Sequence, residues 1–588
     1  MQLFRDRTNG TLIDEIIRPA LHHHWPEALT FLQFIHLQPP PTRASLYSKI
    51  SYSTKHEYLL ALHKLQQLIL AATPPLDDNN RNPKQERTAS TFWKIALHFE
   101  TIILGTHDII TKKPNQIILA RLQAFRNGDL KPLFQAAFNP DLYHTTGKPP
   151  TFDNAHIHSH AAQNAANEDN YRTAHNRIQS QLPVASLTPE RITKILTLFP
   201  PRLPYSHSSN NIRRNTRNAS DTLLSPKPII IDNVTLSRTL KKMARAKAAG
   251  PFAASTDPLQ DYGLFSSGQS LDGDPILPYL STLRKIVNLI TAGTIESDVQ
   301  EYISGTYLAA LHKDPTNLDS IRPLGIGTAY RRITAASVIS AQAADYAEFL
   351  IPQGQFGINI PSGLDYILHS TYTDLERFVT FNPDDPSKLP TRAILFLDII
   401  NMFNAVSRDA CRAELETNPI FHPILPLFDL LYKTPNKCWY QKPDGTFDSF
   451  FQSEGFAQGC PLSGLLAALV LNILLTSLNT TLKTRARDRR LLSPGDDGQG
   501  SLSASTSLVD DTKACLPYQD LCWYIQEFSA QGIKLGIQLA FDKTFILTST
   551  NGTSPLPFLS PSDTAHLSQA LLLLNPPHRI SNPELTLG

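Results

Sequence analysis

The sequence predicts an α+β protein in which a mainly helical N-terminal region precedes a second half that contains β-strands. Two features of patterning predict this class. The first third carries long runs with apolar residues at helical spacing, and the second half carries short apolar runs of strand type between helices. The length of 588 residues also exceeds what one hydrophobic core organises, so we expect two or more domains.

The composition is that of an ordinary globular protein, with 18% charged residues and a net charge of +2. So small a net charge is weak evidence for a nucleic-acid partner, because local basic clusters decide such binding. The five cysteines form no CxxC pair, which argues against a zinc knuckle or a disulfide framework.

The sequence shows no sign of membrane targeting. The N-terminus lacks the apolar core of a secretory signal, and the longest apolar run, 465–475, is too short to cross a bilayer. We therefore predict an intracellular protein, in the nucleus or the cytoplasm, without a membrane partner.

Residues 1–225 are predicted to be mainly helical and to end in a polar linker. The linker, 206–228, is rich in Ser, Asn and Arg. The predicted helices are about 54–70 with a Thr54–Glu57 capping box, the stretch 91–138, and a short helix that begins at Thr188-Pro189 and stops at Pro200-Pro201.

Two histidine clusters, 22–24 and 156–160, lie in the same region. The second is able in principle to ligate a metal, but no cysteines or regularly placed carboxylates join either cluster. We interpret both clusters as solvated loops.

Residues 226–390 begin with a basic helical pattern, 241–251, that ends at Gly250-Pro251. A further helix, about 280–290, precedes a strand over 307–313. A second strand over 321–326 follows a turn, which predicts a β-hairpin bracketed by Lys313 and Arg322. Two cations placed in this way can bind a triphosphate.

Residues 391–398 form an apolar run of β type that ends in Asp398. A buried strand that ends in aspartate is a common way to hold a cation at the edge of a sheet. Alternatively, Asp398 only caps the helix predicted over 401–406.

Gln458-Gly459 lies before an apolar helix that Pro461 initiates and that continues through Leu475. A flexible backbone beside a polar amide suits close approach to a base or a sugar. The same residues also suit the start of an ordinary helix.

The stretch Ser507–Thr512 places Asp510 and Asp511 between an apolar pair and a threonine, which suits a metal-binding hairpin. The alternative is a plain solvated turn. A second pair, Asp496-Asp497, is flanked by glycines rather than strand residues, and we assign it to a mobile loop. A strand that carries Lys543 is predicted over 540–547.

The order of these residues along the chain fits nucleotidyl transfer better than hydrolysis. Two divalent cations held between aspartates lower the pKa of an attacking 3′ hydroxyl and neutralise charge on the leaving pyrophosphate. A lysine such as Lys543 can protonate that leaving group.

Over roughly residues 240–550 the chain resembles a reverse transcriptase of the retroelement type, closest in style to those of non-LTR retrotransposons. The motifs that carry the resemblance are Asp398 with Phe403 five residues later, Gln458-Gly459-Cys460-Pro461-Leu462-Ser463, Val509-Asp510-Asp511, Lys543-Thr544, Arg322-Pro323-Leu324, Gln355-Phe356-Gly357 and Ala249-Gly250-Pro251.

The resemblance implies a right-hand polymerase, with fingers in residues 226–390 and a palm of antiparallel sheet with packed helices in 391–550. The implied activity is RNA-directed DNA synthesis, a nucleotidyltransferase reaction that adds deoxynucleotides to a primer 3′ end. The implied partners are an RNA or DNA template with its primer and deoxynucleoside triphosphates. The implied cofactor is Mg²⁺, two ions per site, with Mn²⁺ as a substitute.

The resemblance also implies a role for each site residue. Phe403 contacts the sugar and excludes a 2′ hydroxyl. The remaining roles are metal binding by Asp398, Asp510 and Asp511, triphosphate contacts by Lys313 and Arg322, positioning of nucleotide and template by Gln458 and Gly459, and acid catalysis by Lys543.

The sequence departs from the family at Leu508, where an aromatic residue is usual, and at Met402, where a small residue is common. Residues 551–588 are a Pro- and Ser-rich tail, too short for the helical thumb of such enzymes, so we expect the thumb to be missing and the chain to be truncated. A catalytically inactive retroelement remnant that binds nucleic acid is therefore the alternative. A viral-type RNA-dependent RNA polymerase is a third reading, which Phe403 and Gln458-Gly459 disfavour.

Overall fold

The structure is a computed structural model that describes most of the second half of the chain and parts of the first. Among the predictions above, Lys313, Asp496-Asp497 and both histidine clusters lie outside the described residues, as does all but the end of the predicted linker. The described residues are 47, 50–73, 83–104, 114–127, 133, 185–202, 227–245, 250–251, 255–264, 278–312, 317, 320–379, 391–444, 446–492, 505–548, 559–574 and 580–581.

The described part of the N-terminal region is helical, as predicted. Its helices are α1 (Tyr52–Ala72), α2 (Pro83–Leu104), α3 (Pro114–Asn127) and α4 (Pro189–Leu196). Helix α4 begins at its predicted cap, Thr188, whose hydroxyl accepts a hydrogen bond from the Arg191 N–H.

The capping box predicted at Thr54 is wrong. Helix α1 begins earlier, after Ser51, which is extended and whose Oγ accepts a hydrogen bond from the Thr54 N–H at 3.3 Å. Thr54 is therefore a buried residue of the first turn. A serine three residues upstream offers the same capping oxygen, and the helical pattern alone does not choose between them.

Four helices precede the first strands: α5 (Asn233–Lys242), α6 (Asp257–Leu264), α7 (Pro278–Thr291) and α8 (Ser297–Ser304). The predicted continuation of the basic helix to Gly250 is wrong, because the chain leaves α5 at Met243, whose backbone is extended. Helix α7 matches its prediction.

The remaining strands and α-helices follow one another in short groups. In chain order they are β1 (Thr306–His312), β2 (Ile321–Gly327), α9 (Ala329–Ala341), α10 (Ala343–Leu350), α11 (Gly363–Asp374), β3 (Arg392–Leu397), β4 (Ile399–Ile400), α12 (Met402–Ala405), α13 (Arg408–Thr417), α14 (Leu425–Tyr432), β5 (Asn436–Gln441), β6 (Phe447–Gln452), α15 (Ser463–Leu492), β7 (Thr506–Leu508), β8 (Asp511–Pro517), α16 (Tyr518–Lys534), β9 (Gln538–Leu539), β10 (Phe545–Leu547), α17 (Pro561–Leu573) and β11 (Ile580–Ser581).

The first sheet has the strand order β2-β1-β5-β6. Strands β1 and β2 form the predicted antiparallel hairpin, in which Leu311 lies opposite Arg322. Strand β5 runs parallel to β1 and antiparallel to β6.

The second sheet has the order β11-β10-β3-β8-β7, and its four strands from β10 to β7 are antiparallel to their neighbours. The predicted strand before Asp398 is its central strand, β3. Helices and antiparallel sheets together make the protein α+β, which confirms the predicted fold class.

Helix α15 is the longest helix of the described part of the chain, and its apolar half lies in the core. Within the described part of the chain, it holds one segment, Ser463–Asp488, that is long and apolar enough to span a membrane, and 67% of its most apolar window is buried inside the protein. It packs against α12, α13 and α16. Residues 483–490, a basic stretch, lie on the last turns of this helix.

Among the described residues the largest hydrophobic cluster extends from α1 and α2 to α15 and α16, and two smaller clusters lie at the two sheets. Polar contacts join the same regions: Gln66 Nε2 donates to the Tyr330 hydroxyl at 3.1 Å, and the His63 Nδ1 lies 2.6 Å from the Tyr262 hydroxyl. Helix α1 is therefore packed against α6, which carries Tyr262, and α9, which carries Tyr330.

Candidate functional site

The second sheet brings the three predicted carboxylates to one edge. Leu397 pairs with Thr512, so one further step along the two antiparallel strands places Asp398 opposite Asp511. Leu508 pairs with Asp511 on the other side, which leaves Val509 and Asp510 as a two-residue turn between β7 and β8. The predicted hairpin is confirmed.

The position of Asp398 excludes the alternative that it caps a helix. Strand β4 separates Asp398 from α12, and the residue that precedes α12 is Asn401, in a left-handed conformation with φ of 50°. The main chain of Asp398 is fixed instead by the segment before β10, since the Ala540 N–H donates to the Asp398 carbonyl oxygen at 2.8 Å.

The three carboxylates influence one another electrostatically. Burial raises the pKa of Asp510, the negative charges of Asp511 and Asp398 raise it further, and the positive charge of Arg322 lowers it. Partial burial and the charge of Asp398 also raise the pKa of Asp511. Concentrated negative charge of this kind favours a bound cation.

Lys543 lies in this cluster, with Nζ 3.6 Å from Oδ2 of Asp398. Its predicted place on a strand is wrong, because residues 541–543 form a turn and β10 begins at Phe545. The N–H groups of Lys543 and Thr544 both donate to the Ala540 carbonyl oxygen, which closes the turn. The apolar pattern around Lys543 resembled a strand but did not reveal this turn.

The donor set suits a hard divalent cation, because carboxylate oxygens are the ligands that Mg²⁺ prefers. Among the described residues, no three His, Cys, Asp or Glu side chains converge closely enough to hold a metal ion. Asp398 is 38% exposed in its side chain.

Phe403 is half-buried on α12, and a close backbone contact fixes its position. The Phe456 N–H donates to the Phe403 carbonyl oxygen at 2.5 Å. Gly455 permits this approach, since its φ is 65° and a Cβ there would lie 2.2 Å from the Asn404 carbonyl carbon. The segment before Gln458 thus packs directly on the helix that carries Phe403.

Gln458 and Gly459 form a turn that packs against the first sheet. The Gly459 N–H donates to the Gly325 carbonyl oxygen on β2 at 3.2 Å, and a Cβ on Gly459 would lie 2.6 Å from that oxygen. The helix that follows begins at Ser463 and extends beyond the predicted end at Leu475.

Arg322 is exposed on β2, the same strand that contacts Gly459. Its positive charge lowers the pKa of Asp510, so the two groups lie within electrostatic range of each other. Lys313 lies outside the described residues.

Sequence reasoning assigned no role to two groups that support the hairpin. Lys513 is 4% exposed in its side chain, and its Nζ donates to Ser370 Oγ at 2.9 Å and to Asp374 Oδ2 at 3.0 Å. Side chains two residues apart on a strand lie on the same face, so the sequence alone could have placed Lys513 on the face of Asp511. Gln355 donates to and accepts from the backbone of the turn, and the sequence indicated only that it belongs to a motif.

No protein-family model matches the chain, and no curated protein matches it. Solved structures with a similar fold include apo telomerase from Candida tropicalis truncated from the C-terminal domain, at 13% identity and a TM-score of 0.27, covering 43% of this chain and 51% of that one. The chain thus spans about half the length of that telomerase structure.

The RNA-dependent RNA polymerase of a human picorbirnavirus is also similar, at 11% identity and a TM-score of 0.28, covering 68% of this chain and 67% of that one. Its insertion loop deletion mutant gives 11% identity and a TM-score of 0.30, covering 68% and 69%. At such identities a likeness concerns the fold alone, and these TM-scores are too low to support a conclusion about chemistry.

Proposed function

We propose that this protein is an RNA-directed DNA polymerase of the retroelement type, which extends a primer by nucleotidyl transfer. The observation that carries the proposal is the placement of Asp398 opposite Asp511, beside the turn that presents Asp510. Two adjacent strands of an antiparallel sheet then supply three carboxylates at one edge, as a two-metal nucleotidyl-transfer site needs.

Asp398, Asp510 and Asp511 would hold divalent cations, with Mg²⁺ expected and Mn²⁺ as a substitute. The ions, when bound, activate the primer hydroxyl and neutralise the leaving pyrophosphate. Burial, and after it repulsion from Asp511 and Asp398, raises the pKa of Asp510. This supports the assignment, because a bound cation would stabilise the buried, crowded carboxylate.

The protein's own residues bind and orient the substrates. Arg322, which is exposed on β2, would contact the triphosphate, and the Gln458-Gly459 turn, which is hydrogen-bonded to the same strand, would position nucleotide and template. Lys543, beside Asp398, would donate a proton to the pyrophosphate as it leaves. Phe403 would select deoxynucleotides by occupying the space of a 2′ hydroxyl.

Primer extension on RNA and on DNA templates tests the proposal, with deoxynucleotides or ribonucleotides and with Mg²⁺ or Mn²⁺. Asp510→Asn is expected to abolish extension. Asp488→Asn, an exposed aspartate on the last turns of α15, removes the same charge and is expected to extend normally. Absence of extension by the wild-type protein, or equal extension by the wild type and Asp510→Asn, contradicts the proposal.

A second candidate function is nucleic-acid binding without catalysis. It is favoured by the observation that no three candidate metal ligands converge among the described residues. Binding of RNA that weakens steeply with salt, without any extension in the presence of Mg²⁺ or Mn²⁺, would support this candidate.

A further inference from the structure

The turn that presents Asp510 contains a backbone conformation that its sequence disfavours. Val509 has φ of 63°, in the left-handed region. A β-branched residue is a clear outlier there, because its two γ carbons crowd the neighbouring backbone. Such a residue keeps this conformation only when surrounding contacts impose it.

Gln355 supplies those contacts. Its Oε1 accepts a hydrogen bond from the Val509 N–H at 2.8 Å, and its Nε2 donates to the Val509 carbonyl oxygen at 3.2 Å. Nε2 also donates to Ser507 Oγ at 3.1 Å, and the Gln355 side chain is fully buried. One side-chain amide therefore binds both the backbone N–H and the backbone carbonyl oxygen of Val509.

The backbone around Gln355 is in direct contact with the hairpin. The Phe356 N–H donates to the Ser507 carbonyl oxygen, and the Ser507 N–H donates to the Gly354 carbonyl oxygen, both at 2.8 Å. A Cβ on Gly357 would lie 2.5 Å from the Val509 nitrogen. The Gly357 N–H in turn donates to Gln355 Oε1 at 3.1 Å, which fixes the orientation of the amide.

We propose that Gln355 is the positioning residue for Asp510: its buried amide holds Val509 at positive φ and thereby sets the direction of the adjacent carboxylate. Gln355 touches neither substrate nor metal in this role and acts through the turn. The inference rests on the proposed function only in naming the reaction that Asp510 serves. The hydrogen bonds between Gln355 and the turn are a property of the fold and do not depend on that function.

Replacing Gln355 with leucine keeps the volume and removes all three hydrogen bonds to the hairpin. Val509 is then expected to relax toward negative φ and to turn Asp510 away from the cluster. We expect binding of Mn²⁺, measured by electron paramagnetic resonance, to weaken by about 10–100-fold, as for other groups that orient metal ligands. Amide exchange in the peptide over 505–512 is expected to speed up, measured by mass spectrometry.

A second substitution makes the test specific to the proposed route. Glycine adopts positive φ without strain, so in Val509→Gly the turn no longer needs the Gln355 hydrogen bonds to keep this conformation. Gln355→Leu combined with Val509→Gly is expected to recover at least about tenfold of the lost Mn²⁺ affinity. A purely structural role for Gln355 predicts no such recovery.

Gln260→Leu is the matched control, because Gln260 is also fully buried and its Nε2 donates to two carbonyl oxygens, those of Leu240 and Met243. It is expected to leave Mn²⁺ affinity and exchange over 505–512 unchanged. If Gln355→Leu fails to fold, Gln355→Glu replaces it, since it keeps the acceptor for the Val509 N–H and loses the donor, and the same recovery with Val509→Gly is expected.

Unchanged Mn²⁺ affinity and unchanged exchange in Gln355→Leu would overturn the inference, and so would a double variant as weak as the single one. Neither measurement uses primer extension. A protein that extends no primer but shows faster exchange and recoverable Mn²⁺ binding would therefore contradict the proposed function and support the role of Gln355.

Discussion

The ammonium group of Lys543 lies 3.6 Å from Oδ2 of Asp398, so the carboxylate at the end of the central strand already has a cationic neighbour. Both side chains are well exposed, at 65% and 38%, which makes the pair weak. A metal ion bound by Asp398 would displace the ammonium group at little cost. Lys543 would then be free to reach a leaving pyrophosphate.

Lys543→Met is expected to separate catalysis from metal binding. Loss of a general acid should lower kcat by about 100-fold or more. Loss of a competing cation should leave Mn²⁺ affinity unchanged or tighten it by up to about fivefold. Single-turnover extension and an Mn²⁺ titration measure the two effects, with the exposed Lys534→Met as control. Weaker Mn²⁺ binding in Lys543→Met would argue against this assignment.

Asp510→Asn is expected to stabilise the fold at neutral pH when divalent cations are absent. Asp510 has a raised pKa, so it binds a proton more tightly in the folded chain than in the unfolded one. Its contribution to stability is complete below the ordinary aspartate pKa and is lost as the pH rises through the raised value. The variant should therefore melt about 1–3 °C higher at pH 7.

Calorimetry with a chelator at neutral and at acid pH checks this effect. The difference in melting temperature between Asp510→Asn and the wild type should shrink as the pH falls below the ordinary aspartate pKa. Added Mg²⁺ should stabilise the wild type more than the variant, because only the wild type keeps the full ligand set. A variant that melts below the wild type at both pH values would refute the electrostatic account.

Phe403→Ala is expected to admit ribonucleotides. The half-buried ring would no longer occupy the space beside the sugar, so discrimination between deoxynucleotides and ribonucleotides should fall by at least about tenfold. Ratios of kcat/KM for the two substrates on one template measure the change. An unaltered ratio would contradict this role for Phe403 and would favour the alternative that the protein is an RNA-dependent RNA polymerase.

Gly455→Ala is expected to displace the backbone of Phe403 and to destabilise the fold. Gly455 has φ of 65°, and a Cβ there would lie 2.4 Å from the Phe403 carbonyl oxygen. The strain and the clash should cost about 1–3 kcal/mol of unfolding free energy, measured by denaturant titration. Gly464→Ala is the matched control, because its Cβ would meet only Ile358 Cδ1 at 3.5 Å. Equal stability of both variants would contradict the expected strain.

The sequence was sufficient to predict the elements that carry the carboxylates. The apolar run before Asp398 is strand β3, and the Asp510-Asp511 pair closes the predicted hairpin. Both predictions used local patterns of apolar and polar residues, which strands and two-residue turns impose directly.

Long-range contacts could not be predicted in the same way. Gln355 lies 154 residues before Val509 in the chain, and no local pattern connects a buried amide with a strained turn so far away. The turn at Lys543 was missed for a related reason. Its closure depends on the Ala540 carbonyl oxygen, while the surrounding apolar residues favour a strand.

The hydrophobic core that α1 and α2 share with α6 and α9 limits where the chain can be divided. A shortened protein that begins at residue 227 would leave the buried hydroxyl groups of Tyr262 and Tyr330 without His63 and Gln66. It would also expose to water the apolar surfaces that these helices cover. We therefore expect a protein that begins at residue 227 to aggregate, and a protein expressed for the assays proposed above should include the N-terminal helices.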